Sequence, residues 1–182
     1  ILHIASSYSR RFEEVILQVP KGRSLKGINV STNRGQTTII NASLENATLN
    51  TNGYLLRIEG SRIKNSKFKT PNIINIFSTE LTDSQLESTK SHFYVDNIKV
   101  YGKVELTSKN ELSITLTQKE SQEINLDLSS HYGPIYQLSR DESQHHPNEL
   151  SNPYKTEKTD VKGQLIAKAD DYISLETTAN KP

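Results

Sequence analysis

A right-handed parallel β-helix, an all-β solenoid, is the fold this sequence predicts, and three observations predict it. Apolar residues recur in columns about nineteen residues apart. Residue types that tolerate a tight backbone recur at a fixed place between two of those columns. Hydrophobic residues are only 33 % of the chain, which suits an elongated coil whose thin core needs few apolar residues per turn.

The columns come first, because self-similarity decides the fold before any local propensity does. Leu25, Leu44, Ile63, Leu81 and Val100 are separated by 19, 19, 18 and 19 residues. Val30, Leu49, Phe68 and Leu86 run in parallel five positions later. Ile39, Ile58, Phe77, Val95 and Ile114 form a third column on another part of the turn. In a coil of short strands stacked ~4.8 Å apart, these columns fill the interior. On that spacing Asn75 shares a column with Leu56, Phe93 and Leu112, so it is expected to be a buried amide that needs partners. A β-sandwich with hairpins of similar length is the competing arrangement.

Between the first two columns stand Gly27, Asn46, Asn65, Asp83 and Gly102. Gly, Asn and Asp enter the left-handed backbone region at least cost, as a corner repeated on every turn requires. The position after it is small in the central turns: Ala47, Ser66 and Ser84.

Leu44-Glu-Asn-Ala-Thr-Leu49, Ile63-Lys-Asn-Ser-Lys-Phe68 and Leu81-Thr-Asp-Ser-Gln-Leu86 each resemble two linked pentapeptide repeats, and Ala42, Ser61 and Thr79 extend the match. The resemblance implies a pentapeptide-like right-handed β-helix. It covers about half of each of three turns. The other half, such as Pro71 to Phe77, departs from the four tidy pentapeptides of that family, so the coil is expected to have one regular and one irregular side. The helix is also similar to β-helix domains of translocated bacterial ubiquitin ligases, of which a chain without cysteine supplies the helix alone.

The two ends read differently. Residues 1–24 form a capping segment in which Tyr8, Phe12, Val15, Ile16 and Val19 share a helical face before Pro20, with a strand over Val15 to Val19 as the alternative. Residues 25–128 form the β-helix and end in a hairpin, where Leu112, Ile114 and Leu116 are followed by a polar turn at Lys119 to Gln122 and by Ile124, Leu126 and Leu128. In residues 129–182, the stretch from Ser129 to Asp160 reads as a long polar loop, followed by strands over Val161 to Ala169 and Tyr172 to Leu175.

The balance of 22 Lys+Arg against 21 Asp+Glu points to neither nucleic acid nor an anionic membrane. With no cysteine there is no disulfide, thiolate site or cysteine nucleophile, which fits a secreted or translocated protein. The Ile1 start and the absence of Met are compatible with a processed form, which leaves room for a targeting segment that has been removed. No apolar run approaches the ~20 residues that span a bilayer.

The candidate chemistry is sparse. His131, Asp141, Glu142, His145 and His146 combine imidazoles with carboxylates, but at no spacing that matches a ligand motif, and they read as solvated loop residues. Asp83 sits at the corner position, which explains it. Asp96 should have Ser78 and Thr115 as neighbours on adjacent turns, so it lacks the second acid that glycoside cleavage wants. Asn29-Val-Ser31, Asn41-Ala-Ser43 and Asn46-Ala-Thr48 match the glycosylation pattern by composition alone. Lys26, Lys64, Lys67, Arg57 and Arg62 tint the central turns basic, whereas pentapeptide proteins that mimic DNA need an acidic face.

No catalytic, cofactor or metal residue is assigned. The expected function is a non-enzymatic binding or scaffold solenoid of a secreted or translocated bacterial protein, of effector or adhesin type, with a protein or glycan partner. A polysaccharide-binding or polysaccharide-cleaving helix and a self-associating structural protein are the alternatives.

Overall fold

The apolar columns are strand registers of parallel ladders. The computed structural model describes residues 3–4, 14–20, 22–138 and 147–179. Each turn contributes one strand to each of three sheets, called here A, B and C. The first turn comprises β1 (His3–Ile4, sheet A), β2 (Glu14–Gln18, B) and β3 (Leu25–Lys26, C). In the same A, B, C order follow β4 (Asn29–Thr32), β5 (Gln36–Ile40) and β6 (Ser43–Glu45), then β7 (Thr48–Thr51), β8 (Leu55–Glu59) and β9 (Arg62–Lys64), then β10 (Lys67–Thr70), β11 (Ile73–Phe77) and β12 (Glu80–Thr82). The fifth turn has β13 (Gln85–Ser88) and β14 (Phe93–Asp96), after which β15 (Lys99–Ser108) runs through sheet C and on into sheet A. Every ladder among these strands is parallel.

Leu25 pairs with Leu44, Leu44 with Ile63, Ile63 with Leu81, and Leu81 with Val100. Val30, Leu49, Phe68 and Leu86 pair in the same way and lead on to Leu106. Apart from Leu25, which is partly buried, these residues are buried in one core.

The third column needs a correction. Ile58 pairs with Ile76, which is fully buried, while Phe77 faces outward beside Glu59 and Asp96. Ile74 likewise takes the inner position expected for Asn75, which points out between Arg57 and Tyr94. The cause is a corner one residue shorter: Pro71-Asn72 replaces Asn52-Gly53-Tyr54. In the longer corner the Tyr54 N–H donates to Gly35 O at 2.9 Å. In the shorter one the Asn72 side-chain amide donates to Gly53 O at 2.8 Å in place of the missing residue. Asn75 keeps part of its expected trait, because its Oδ1 is enclosed without a hydrogen-bond partner among the described residues.

The corner column behaves as expected. Gly27, Asn46, Asn65, Asp83 and Gly102 all have φ between 45° and 61°. Their N–H groups donate in turn to Glu45, Lys64, Thr82, Tyr101 and Lys162 carbonyls, so the ladder survives the bend. A second such column, Asn41, Gly60, Ser78 and Asn97, turns the chain from sheet B into sheet C. The small positions carry hydroxyl relays. Ser66 Oγ donates to Lys64 O at 2.7 Å and accepts the Ala47 N–H at 3.0 Å, and Ser84 repeats this toward Thr82 and Ser66. Ser61 and Thr79 do the same at the other corner. At the third corner Thr32, Thr51, Thr70, Ser88 and Ser108 are all buried. Corner N–H groups that cannot reach another backbone are thus satisfied by side chains.

Two end expectations are corrected. The segment before Pro20 is the strand β2, paired with β5, rather than a helix over 14–18; residues 8–13 lie outside the described residues. The terminal hairpin does not form. β16 (Leu112–Thr117) belongs to sheet B and pairs with β14. A short helix, α1 (Gln118–Glu123), starts where Thr117 Oγ1 accepts the Glu120 N–H at 3.1 Å. It carries the chain across to β17 (Ile124–Ser130) in sheet A, followed by β18 (Ile135–Leu138) in sheet B. Alternation along Leu112 to Leu128 records two inward faces, not one shared hairpin face.

The stretch read as a long loop also contains strands: β18, β19 (Asn148–Leu150) and β20 (Tyr154–Lys155). The last turn, β21 (Gly163–Ala169) and β22 (Ile173–Thr178), then inserts itself. β21 lies between β15 and β17, and β22 between β16 and β18, all parallel. β20 and β19 pair antiparallel with the outer edges of β17 and β18, so neither strand leaves a bare edge there.

Candidate functional site: the outer face of sheet B

The three outer faces differ in chemistry. On sheets A and C, cations are paired with carboxylates across or along the strands: Lys26 and Lys64 with Glu45 at 2.7 and 4.0 Å, Arg62 with Glu80 at 3.7 Å, Lys69 with Glu87 at 2.9 Å, and Lys103 with Glu105 at 2.6 Å. The Lys26 hydrogen bond holds the Glu45 carboxyl below its ordinary pKa. The basic tint of the central turns is therefore largely compensated; Arg57 too is bound, to Glu59 at 2.7 Å, with its guanidinium 5.4 Å from the Phe77 ring centre.

Sheet B is different toward its C-terminal end. β14, β16, β22 and β18 lie side by side there and contain no Lys or Arg. Their outward residues form rows across the strands. One row runs Tyr94, Ser113, Ser174, Tyr136, and another runs Asp96, Thr115, Glu176, Leu138. Just before these strands, at the same edge, stand His92, Glu111 and Tyr172.

Glu111 ties this edge together. Tyr94 donates its phenol hydrogen to Glu111 Oε1 at 2.5 Å, Tyr172 donates to Oε2, and His92 Nδ1 lies 3.3 Å from Oε1. Burial pushes the Glu111 carboxyl up, but the phenol bonds from Tyr172 and Tyr94, with the charge of His92, more than offset this and hold it below its ordinary value. Hydrogen bonding to that carboxylate, helped by burial, raises both phenols to about 12. The Tyr136 ring meets Tyr172 edge-on at 6.4 Å, extending the band from β14 to β18. A carboxylate clip and two phenols thus fasten the inserted turn to the older part of the coil.

The residues singled out from the sequence fall elsewhere or fall apart. His131 is exposed and packs on Tyr132, with ring centres 4.1 Å apart; Asp141, Glu142, His145 and His146 lie outside the described residues. No group of three or more His, Asp or Glu side chains is placed to hold a metal among the described residues. Asp83 is the corner residue its spacing implied, and its Oδ1 accepts the Lys103 N–H at 3.0 Å. Asp96 is exposed, with Phe77 rather than Ser78 on one side and Thr115 on the other. Glu176 stands one strand beyond Thr115, put there by the insertion of β22. Asn41 and Asn46 hold positive φ at corners, and Asn29 lies exposed on β4. The sequence reading missed the Tyr94–Glu111–Tyr172 clip, because Glu111 and Tyr172 become neighbours only through that insertion.

A family model described as Toastrack DUF4097 matches residues 1–176. The chain belongs to the Toastrack family. This family is β-solenoid-like, so the repeat fold expected from the pentapeptide resemblance holds, while the match is to Toastrack and not to a pentapeptide-repeat family. No curated protein and no solved structure matches this Toastrack chain.

Proposed function

We propose that this chain is a non-enzymatic β-solenoid binding module that presents the C-terminal end of the sheet B face to a partner. One observation carries the reading: four adjacent strands carry a row of Tyr94, Ser113, Ser174 and Tyr136 on their outer face, whereas the faces of sheets A and C are set with paired charges. Surfaces rich in tyrosine on a rigid scaffold bind well, since the ring offers large area at low entropic cost. The coil is taken to be right-handed, as parallel crossovers almost always are, with turns of about nineteen residues. A setting in a secreted or translocated protein, of effector or adhesin type, accords with the absence of cysteine. Fold alone does not give function, so the face has to be tested directly.

The test is a screen of the purified chain against a peptide array and a glycan array. Ligands should lose binding to a Tyr94→Ser, Tyr136→Ser double variant and keep it with Lys69→Ala on sheet A. The reverse pattern, or turnover of a substrate abolished by one point mutation, would end this reading.

A further inference from the structure

We propose that His92, Tyr94, Glu111 and Tyr172, at the edge of sheet B, form a binding site for one ferric ion. The site shares Tyr94 with the tyrosine row but goes beyond the partner reading, since Tyr136 has no part in it. Its donors come from three adjacent strands. His92, Glu111 and Tyr172 directly precede Phe93, Leu112 and Ile173, which pair side by side and are fully buried. The three side chains therefore stand in one row at ~4.8 Å steps. Tyr94 follows His92 by two residues, on the same face of the strand. The buried neighbours fix the backbone beneath all four groups, as a preformed site requires.

The donor atoms converge on the Glu111 carboxylate. Tyr94 Oη lies 2.5 Å from Oε1, Tyr172 donates to Oε2, and His92 Nδ1 stands 3.3 Å from Oε1. A hydrogen-bonded clip accounts for the two phenols but not for the imidazole. His92 Nδ1 is enclosed and makes no hydrogen bond among the described residues, although it faces the carboxylate. Asn75 Oδ1, on the strand beside Tyr94, is enclosed without a hydrogen bond as well. Buried polar atoms are ordinarily satisfied, and two such orphans at one edge are what a hydrated cation would complete. The side chains of His92 and Glu111 are 39 % and 20 % exposed, so an ion reaches them from water.

Chemistry selects the ion. A phenol ionises near pH ~10 in water, so a weakly polarising divalent ion leaves it protonated at neutral pH. A small trivalent ion displaces the proton, and phenolate, carboxylate and imidazole are all ligands of iron. Binding forms a bond from Fe3+ to each phenolate oxygen, to the carboxylate and to Nδ1, and releases the two phenol protons to solvent. The two phenolates and the carboxylate together balance the charge of Fe3+, and no electron is transferred. Charges of both signs surround these strands, among them Lys90, Lys109 and Glu149, so the donor atoms and not a net field select the ion.

The purified chain is titrated with ferric citrate, and with zinc chloride in parallel, following visible absorption and the metal retained after gel filtration. One iron per chain should be retained, with a visible phenolate-to-iron charge-transfer band. A Tyr94→Phe, Tyr172→Phe double variant should lose the band. Tyr136→Phe should keep it, although the Tyr136 and Tyr172 ring centres are only 6.4 Å apart. His92→Ala leaves the bonds between the phenols and Glu111 in place and so keeps the fold; its iron affinity should fall about tenfold or more while the band persists. No band in the parent chain overturns the proposal. A band that survives the double variant, or iron affinity unchanged in His92→Ala, marks an adventitious ion only and overturns it too. Zinc retained where iron is not would make His92 and Glu111 a divalent site and sink the ferric assignment. Peptide or glycan binding that persists without any iron site leaves the tyrosine face standing by itself.

Discussion

Between Leu25 and Ser108 the stacking order of the strands follows the chain; beyond Leu112 it does not. In the first region each strand from β4 to β14 pairs with the strand one turn earlier and one turn later, so contacts are short-range in sequence. In the second, β17 and β18 have no parallel partner until β21 and β22, made some forty residues later, slide in beside them. The same inward pattern of Leu, Ile and Ala serves both regions. The difference teaches that a solenoid core can be assembled in steps or closed all at once, and that closure at the second end also creates the sheet B site. Glu111 precedes the strand on one side of the insertion and Tyr172 the strand that is inserted.

The sharpest way to break that comparison is to delete residues 163–182. This removes Leu165, Ile173 and Leu175 from the core, and each large aliphatic side chain is worth ~1.5–3 kcal/mol when buried. It also strips partners from β15, β16, β17 and β18 together. The loss is comparable with the ~5–15 kcal/mol that holds a typical domain folded, so cooperative denaturant unfolding should disappear. Deleting residues 1–4 removes one two-residue ladder against β4 and should leave a single transition. If the two truncations behave alike, the ends are equivalent and the closure argument fails.

Within the regular region the expected contrast is between neighbours. Ile76→Ala should cost ~2–5 kcal/mol, as for a fully buried aliphatic side chain, and Phe77→Ala only about 1 kcal/mol, for the partly exposed ring under Arg57. The opposite order would put Phe77 back inside and make the corner at Pro71 a full-length one.

This pair also shows how far the sequence can be read. Two of the three columns were legible because an apolar inner position alternates with polar neighbours, as in Lys67-Phe68-Lys69. At Ile76-Phe77 both residues are apolar, so periodicity had no means of choosing; a one-residue deletion in a corner chose instead. The positive-φ column at Gly27 to Gly102 was legible because it uses the residue types that backbone strain permits. The inserted turn was not legible, since alternation along Leu112 to Leu128 is the same whether two strands pair with each other or with strands made later. The sheet B site depends on that insertion and was hidden with it.

A third measurement bears on the corners. Ser66→Ala leaves the buried Ala47 N–H without the hydroxyl that now accepts it, at a cost of ~1–3 kcal/mol. Ser43→Ala, at a half-exposed strand position, should cost far less. Equal costs would mean that the relays contribute nothing.

The clip at the inserted turn predicts a pH dependence with a defined sign. Glu111 has a folded pKa below its unfolded value of about 4.5, so its contribution is present above that pH and is lost as pH falls through the folded value. Tyr94 and Tyr172 are raised from about 10 to about 12, so theirs is present below pH 10 and is lost as pH rises toward 12. The melting temperature of the parent chain minus that of Glu111→Gln should therefore be greatest between about pH 5 and 10 and shrink on both sides. The effect is modest, because the groups are partly exposed and screened. A flat difference across that range and beyond both ends of it would show that the clip does not titrate with folding.

The smallest expected effect tests what the regular corners require. Asn65 has φ of 49° and an exposed side chain whose Nδ2 donates to Asn46 Oδ1 at 2.6 Å. Two causes could therefore fix Asn at this place, tolerance of the left-handed backbone or an amide ladder from turn to turn. Asn65→Gly removes the amide bond, worth ~0.5–1 kcal/mol at an exposed site, and relieves a left-handed strain of about 1 kcal/mol. The two nearly cancel, so the variant should lie within about 0.5 kcal/mol of the parent. Asn65→Val loses the same bond and adds the strain of a β-branched residue at positive φ, so it should be worse by at least ~1 kcal/mol. Glycine already serves the position at Gly27 with nothing near its missing side chain, which shows that the amide is dispensable on at least one turn. At Gly102 a Cβ would stand 2.0 Å from Asp83 Oδ1, the end of an exposed side chain that can swing aside, so Gly102→Ala should cost the left-handed backbone strain together with the hydrogen bond from Lys103 N–H to Asp83. Denaturant unfolding of these three variants separates the causes: Asn65→Gly as costly as Asn65→Val would make the amide ladder, and not the backbone angle, the reason this column repeats.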